Sequence, residues 1–161
     1  VAQLPIDLTL RLPDPAWIVA DPAELGLPGA AFAATRPEPG GVFAPLLTVS
    51  GGLRDAGEDV AVVADESLAV FAEQVADAEV VDRVTSGTPT APGVSQVLAG
   101  RTPLQGRQRE VRQAQVVATA PTRDGDRRAV VVFTLTCLAE QLGTLGPQLQ
   151  SFVASARPEG A

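Results

Sequence analysis

The stretch "REVRQAQVVATAPTRDGDRRAVVVFTLTC", residues 109–137, decides the fold class. Two β-rich arms flank Asp124-Gly125, a dipeptide suited to the positive-φ positions of a hairpin turn. Successive side chains of a strand point to opposite faces, so the second arm puts Val131, Phe133, Leu135 and Cys137 on one face. Val130, Val132, Thr134 and Thr136 take the other. A strand apolar on one face and β-branched on the other is expected at the centre of a sheet, covered at least in part on both sides. The first arm, 109–120, is expected nearer the periphery.

On the N-terminal side, "IDLTLRL" (6–12) alternates Ile6, Leu8, Leu10 and Leu12 with Asp7, Thr9 and Arg11, which predicts a half-buried strand. "PDPAW" stops it, because proline cannot donate to a ladder. "VADPAELGLPG" reads as loop, "AAFAATRP" as a short strand and "EPGG" (38–41) as a turn. "VFAPLLTVSGGL" predicts a further strand, with Pro45 confining its first half to an edge or bulge. Over 65–76 the period changes: Leu68, Phe71, Ala72 and Val75 recur at helical spacing, and Asp65 is the expected N-cap. The segment 60–63 fits an extension of this helix or a separate element. Strands follow at "EVVDRVTSG" and "VSQVLAG", with a loop at 88–93 and a turn region at 101–108. A second amphipathic helix closes the chain, with Pro147 in its first turn and Leu149, Phe152 and Val153 on its apolar face. Hairpins outnumber β-helix-β crossovers, so the expected class is α+β: a central antiparallel sheet with helices packed on it. One domain is expected over residues 1–156, with 157–161 as a disordered tail.

Composition removes most chemistries. With no histidine, the chain has no imidazole general base and no Ser-His or Cys-His nucleophile pair. No histidine and one cysteine leave no ordinary zinc site, and one cysteine allows no internal disulfide. All twelve basic residues are arginine, so a phosphate loop lacks its lysine. The acids are scattered through turns and polar faces, without the pairing that glycoside hydrolysis uses. No catalytic residue, metal or cofactor is therefore assigned, and an enzyme ranks last among the functional readings. The net charge of −7 argues against a nucleic-acid partner. No stretch approaches the roughly 18 apolar residues of a membrane span, so direct membrane insertion is not expected. The first residues show no signal-peptide pattern, which favours a cytoplasmic protein; export with a signal already removed is the alternative.

Three features invite a functional reading beside a structural one. Trp17 is the only tryptophan in a chain whose other large rings are five phenylalanines. It reads as a core plug, with an interface anchor as the alternative. Arg101, Arg107, Arg109 and Arg112 crowd into twelve residues. They read as charge protecting a strand edge, or as a rim that recognises an acidic partner through bidentate guanidinium contacts. Gln113 and Gln115 share a strand face with Arg107 and Arg109, and such a polar face is placed to border a binding surface. Cys137, inside an apolar run, reads as a buried, inert thiol.

The order of these segments resembles the PsbP-like α/β sandwich superfamily, which includes DcrB-type and actinobacterial LpqN-type domains. The likeness starts in "LTLRLPDPAW", close to a strand followed by L-P-x-x-W. Leu12, Pro13 and Trp17 match it with one extra residue before the tryptophan. It continues through "APLLTVSGGL", the helix at 65–76, "REVRQAQVVATA", "VVVFTLTC" and the closing "FVASAR". The resemblance implies a central antiparallel sheet with helices on both faces. It also implies a non-enzymatic protein-binding module, a chaperone or adaptor for a secreted or membrane-associated partner, with a homodimer compatible. It carries no catalytic residue across, and the lipobox cysteine of LpqN-type proteins is missing. A carrier of a small apolar ligand between sheet and helix is the second reading. An enclosed apolar cavity would favour the carrier; an open groove or patch would favour the protein binder.

Overall fold

The computed structural model describes residues 3–38, 41 and 43–158. Its strands are β1 (Leu8–Thr9), β2 (Ile18–Ala20), β3 (Phe32–Thr35), β4 (Leu46–Asp55), β5 (Ala76–Gly87), β6 (Pro92–Leu104), β7 (Arg107–Pro121), β8 (Arg127–Leu138) and β9 (Arg157–Pro158). Helix α1 spans Val60–Ala72, and α2 spans Leu142–Ser155 after a short 3-10 turn at Ala139–Gln141. Seven strands form one sheet in the order β2-β3-β4-β8-β7-β6-β5, and every neighbouring pair is antiparallel. The fold is α+β, and β8 lies in the middle of the sheet as its two-faced pattern requires.

The hairpin at 109–137 forms with Gly125 at φ 77, closed by a loop from Thr122 to Asp126. Its first arm is not peripheral. β7 is bracketed by β6 and β8, and the edge strand on this side of the sheet is β5. The turn region at 101–108 is mostly strand, reversing at Gln105 and Gly106, both at positive φ as a tight two-residue hairpin turn demands.

Four other expectations are corrected. The alternation over 6–12 yields only the two-residue β1, which pairs with β9 rather than with the main sheet. Alternation specifies which side chains are buried; it does not supply a ladder partner. Leu4, Leu8, Leu10 and Leu12 lie against the apolar cluster under α2, and Arg11 N–H donates to Ser155 Oγ at 3.0 Å. The expected disordered tail is thus partly ordered, since Arg157 and Pro158 form β9; residues 159–161 lie outside the described residues, as do Pro39 and Gly40 of the 38–41 turn. Helix α1 starts at Val60, not Asp65. Asp59 is its N-cap, its Oδ1 accepting from Ala61 N–H at 3.0 Å, because Val60, Val63 and Ala64 extend the buried stripe a turn and a half upstream. Finally, Pro147 lies inside α2, beyond its first turn. The bond it forgoes is to the carbonyl of Gly143, an exposed residue that water reaches.

The core sorts by alternation along β8. Val131, Phe133, Leu135 and Cys137 join Leu47 and Val49 of β4 and Leu145, Leu149 and Phe152 of α2. Phe152 meets Phe133 edge-on, centroids 6.1 Å apart, and Phe32 at 5.8 Å. Val130 instead packs with Val60, Val63 and Ala64 of α1, and Leu138 with Phe71. Gly100 of β6 lets the chain after α1 lie close to the sheet, since a Cβ there would stand 2.3 Å from Val75 Cγ2.

Candidate functional site

A helix is about 10–12 Å across and strands are spaced at about 4.8 Å, so one helix shields two or three strands. α1 packs along β5, β6 and β7. The α1-side residues of β4 and β8 are left without a helix above them. They form the floor of an open trough of about 800 Å³. The floor carries Thr48 and Ser50 of β4, Thr134 and Thr136 of β8, and Gln113 and Gln115 of β7. One wall is α1, through Val63, Glu66, Ser67 and Val70; the other is Leu27 and Ala30 of the loop after β2, with Phe43. The lining follows β4 from Leu46 to Arg54, about 26 Å at the strand rise of 3.3 Å per residue.

A chain of side-chain amides crosses the sheet into this floor. Arg83 Nε of the edge strand donates to Gln96 Oε1 at 3.0 Å. Gln96 Nε2 donates to the Ala64 carbonyl at 3.0 Å and to Gln115 Oε1 at 2.6 Å. Gln115 Nε2 donates to Gln113 Oε1 at 2.7 Å, and Gln113 Nε2 to Thr136 Oγ1 at 3.1 Å. Gln96 and Gln115 are 3% and 4% exposed, so their hydrogen bonds hold polar atoms that water does not reach. At the far end of the trough Arg54 bonds Glu58 at 2.7 Å and Glu66 at 2.8 Å. The Glu58 hydrogen bond is the main cause that raises the Arg54 pKa.

The residues singled out from the sequence are placed as follows. Trp17 is 3% exposed within the α2 cluster, its indole N–H donating to Gln148 Oε1 at 2.7 Å. Gln148 in turn donates to Asp14 Oδ2 at 3.0 Å, which ties the "PDPAW" turn to α2. The four arginines do not converge. Strand alternation and register put Arg101 and Arg112 on one side of the β6–β7 hairpin and Arg107 and Arg109 on the other. Arg101 pairs with Asp77, Arg112 lies 3.4 Å from Glu110, and Arg109 lies 4.0 Å from Glu140. β5 pairs with β6 no further than Arg101, so the end of the hairpin that carries Arg107 and Arg109 extends past both neighbouring strands. Cys137 is fully buried, and desolvation pushes its thiol up to about 11. In the sequence the trough shows mainly through Gln113 and Gln115. The remaining signal was the alternation of Thr48 and Ser50 with Leu47 and Val49 inside a run that is apolar on average.

Among the described residues, no three His, Cys, Asp or Glu side chains cluster as a metal site would need, and no helix is long and apolar enough to cross a membrane. No protein-family model matches the chain, and no curated protein matches its sequence. Solved structures do. LpqN of Mycobacterium tuberculosis, described as involved in cell envelope biogenesis, is similar at a TM-score of 0.59 and 14% identity, over 94% of this chain and 84% of LpqN. Cyanobacterial PsbP (CyanoP) of Synechocystis sp. PCC 6803 is similar at a TM-score of 0.52 and 12% identity, over 94% of this chain and 92% of that one. PA94 of Pseudomonas aeruginosa, a protein of unknown function, aligns over 100% of this chain and 88% of its own, at a TM-score of 0.49 and 16% identity. At these identities the likeness is one of fold: the chain has a PsbP-like fold.

Proposed function

We propose that this chain is a non-enzymatic protein-binding module and that a segment of its partner lies in the trough beside α1. We read α1 and α2 as lying on opposite faces of the sheet, Val130 packing with α1 and Val131 with α2; the larger open space, about 800 Å³, lies beside α1, and a smaller one of about 650 Å³ opens beside α2 over Val97 and Ala114. The observation that carries the reading is the form of that space. It is long, open and walled on both sides, as a groove for an extended chain is. A carrier of a small apolar ligand would need an enclosed apolar cavity; here the space is open, and hydroxyls and amides stand on its floor beside Val130 and Val132. A chaperone or adaptor for a secreted or membrane-associated protein is the form of binding module that suits an extended client segment.

The test is selection of peptides from a random nonapeptide library on the immobilised protein, followed by Ser67→Trp, which fills the trough from the α1 wall. Selected peptides should lose at least tenfold in affinity for the variant, with its melting temperature unchanged. Their NMR footprint should centre on Thr48, Thr134 and Thr136. A footprint on the β6–β7 hairpin, or equal affinity for Ser67→Trp, overturns the reading.

A further inference from the structure

The direction of the amide chain follows from its ends. The Arg83 guanidinium can only donate and the Ala64 carbonyl can only accept. Gln96 therefore turns its oxygen to Arg83 and its nitrogen to Ala64 and Gln115. Each later amide is forced in turn: Gln115 must accept from Gln96, Gln113 must accept from Gln115, and Gln113 is left donating to Thr136. Asp65 Oδ1 holds the Arg83 Nη1 end at 2.8 Å. Thr136 Oγ1 already accepts, so its own proton must go elsewhere, and it finds no acceptor among the described residues. The hydroxyls of Thr48, Ser50 and Thr134 also find no partner among the described residues.

Resting on the trough as the binding site, we infer that its occupant is an extended, uncharged peptide segment with a backbone carbonyl accepting from Thr136, a polarity imposed from Arg83 through Gln96, Gln115 and Gln113. Spacing supports a peptide. Thr48 and Ser50, like Thr134 and Thr136, stand two residues apart on their strands, about 6.6 Å. An extended chain running along the strands shows a carbonyl on one side at that same repeat. An alkyl chain would fill the length but leave every floor hydroxyl desolvated and unpaired. Charge points the same way: the floor residues are neutral, and the charged lining residues Arg54 and Glu66 neutralise each other.

Gln113→Glu tests the polarity. A carboxylate at this position still accepts from Gln115 but cannot donate to Thr136, which then turns its proton towards that carboxylate and away from the trough. At pH 7.5, peptides selected on the native chain should bind Gln113→Glu and Thr136→Val at least tenfold more weakly. Thr136→Ser, which keeps the hydroxyl, should stay within about threefold, and all three variants should keep the native melting profile to within a few degrees. If Gln113→Glu fails to fold, Thr136→Val against Thr136→Ser decides alone. Ser67→Trp separates the two claims. Loss of binding there with unchanged binding by Gln113→Glu and Thr136→Val sinks the polarity inference and leaves the trough standing. An uncharged polyoxyethylene alkyl ether that displaces the peptides, with the same sensitivity to Thr136→Val, makes the occupant an amphiphile and overturns the peptide assignment.

Discussion

The two sides of this sheet use the same strands for different ends. Towards α2, β8 offers Val131, Phe133, Leu135 and Cys137, and the cluster they enter holds Trp17 and Phe152 with Phe32 packed against it. Towards α1, β8 offers Val130 and Val132 and then Thr134 and Thr136, and β4 adds Thr48 and Ser50. The α2 side is a dry core over β4 and β8 that opens beside α2 over Val97 and Ala114. The other is a core only beneath α1, and beyond the helix it becomes a hydroxylated floor. Stability should therefore be concentrated on the α2 side, and changes to the α1 side should alter binding more than folding.

Trp17 puts the largest demand on this contrast. Removing its ring takes away a buried aromatic and leaves Gln148 and the Asp14 turn without an anchor. Trp17→Ala should cost about 3–5 kcal/mol in urea unfolding, as truncation of a buried large aromatic does. A cost below about 1 kcal/mol, ordinary for a surface site, would show that the α2 side is not the main store of stability.

The sequence made the α2 side legible and the α1 side only in fragments, for a physical reason. Core-facing residues repeat with the period of their element, so Phe133, Leu135 and Cys137 could be assigned to one face without a partner in view. The same holds for Leu149 and Phe152 of α2. A partly covered face has no such signature. Thr134 and Thr136 are equally suited to packing under a helix or lining a groove, and only the lateral position of α1 decides. The misreading at 6–12 has the same root, since burial pattern and ladder pairing are separate facts. The arginines show the converse: they are neighbours in sequence, and alternation along a hairpin divides them between two faces.

An intermediate effect is expected inside the amide chain. Gln115→Leu leaves Gln113 Oε1 without its donor and Gln96 with one acceptor fewer. Loss of a buried hydrogen-bond partner costs about 1–3 kcal/mol, so the variant should unfold at lower urea than the native chain but at higher urea than Trp17→Ala. It should also release Gln113 from its fixed orientation and weaken peptide binding. A penalty as large as that of Trp17→Ala would mean that the polar network is a principal support of the fold, and the division between the two sides would fail.

The smallest effect belongs to the β6–β7 hairpin. Arg107 is exposed, and the 4.0 Å contact of Arg109 with Glu140 joins side chains that are 32% and 64% exposed. Ion pairs of this kind contribute about 0–1 kcal/mol, and salt screens them further. Arg107→Gln with Arg109→Gln should move the unfolding midpoint by no more than that and leave trough-selected peptides bound within about threefold. The comparison is demanding because Arg109 lies on the same side of β7 as Gln113 and Gln115, just beyond the trough lining. If the hairpin were an electrostatic landing site for an acidic partner, the double change would slow association and flatten its salt dependence while the fold stayed intact. A tenfold loss of affinity with an unshifted melting temperature would therefore place the binding surface on the arginines and take it away from the hydroxylated floor.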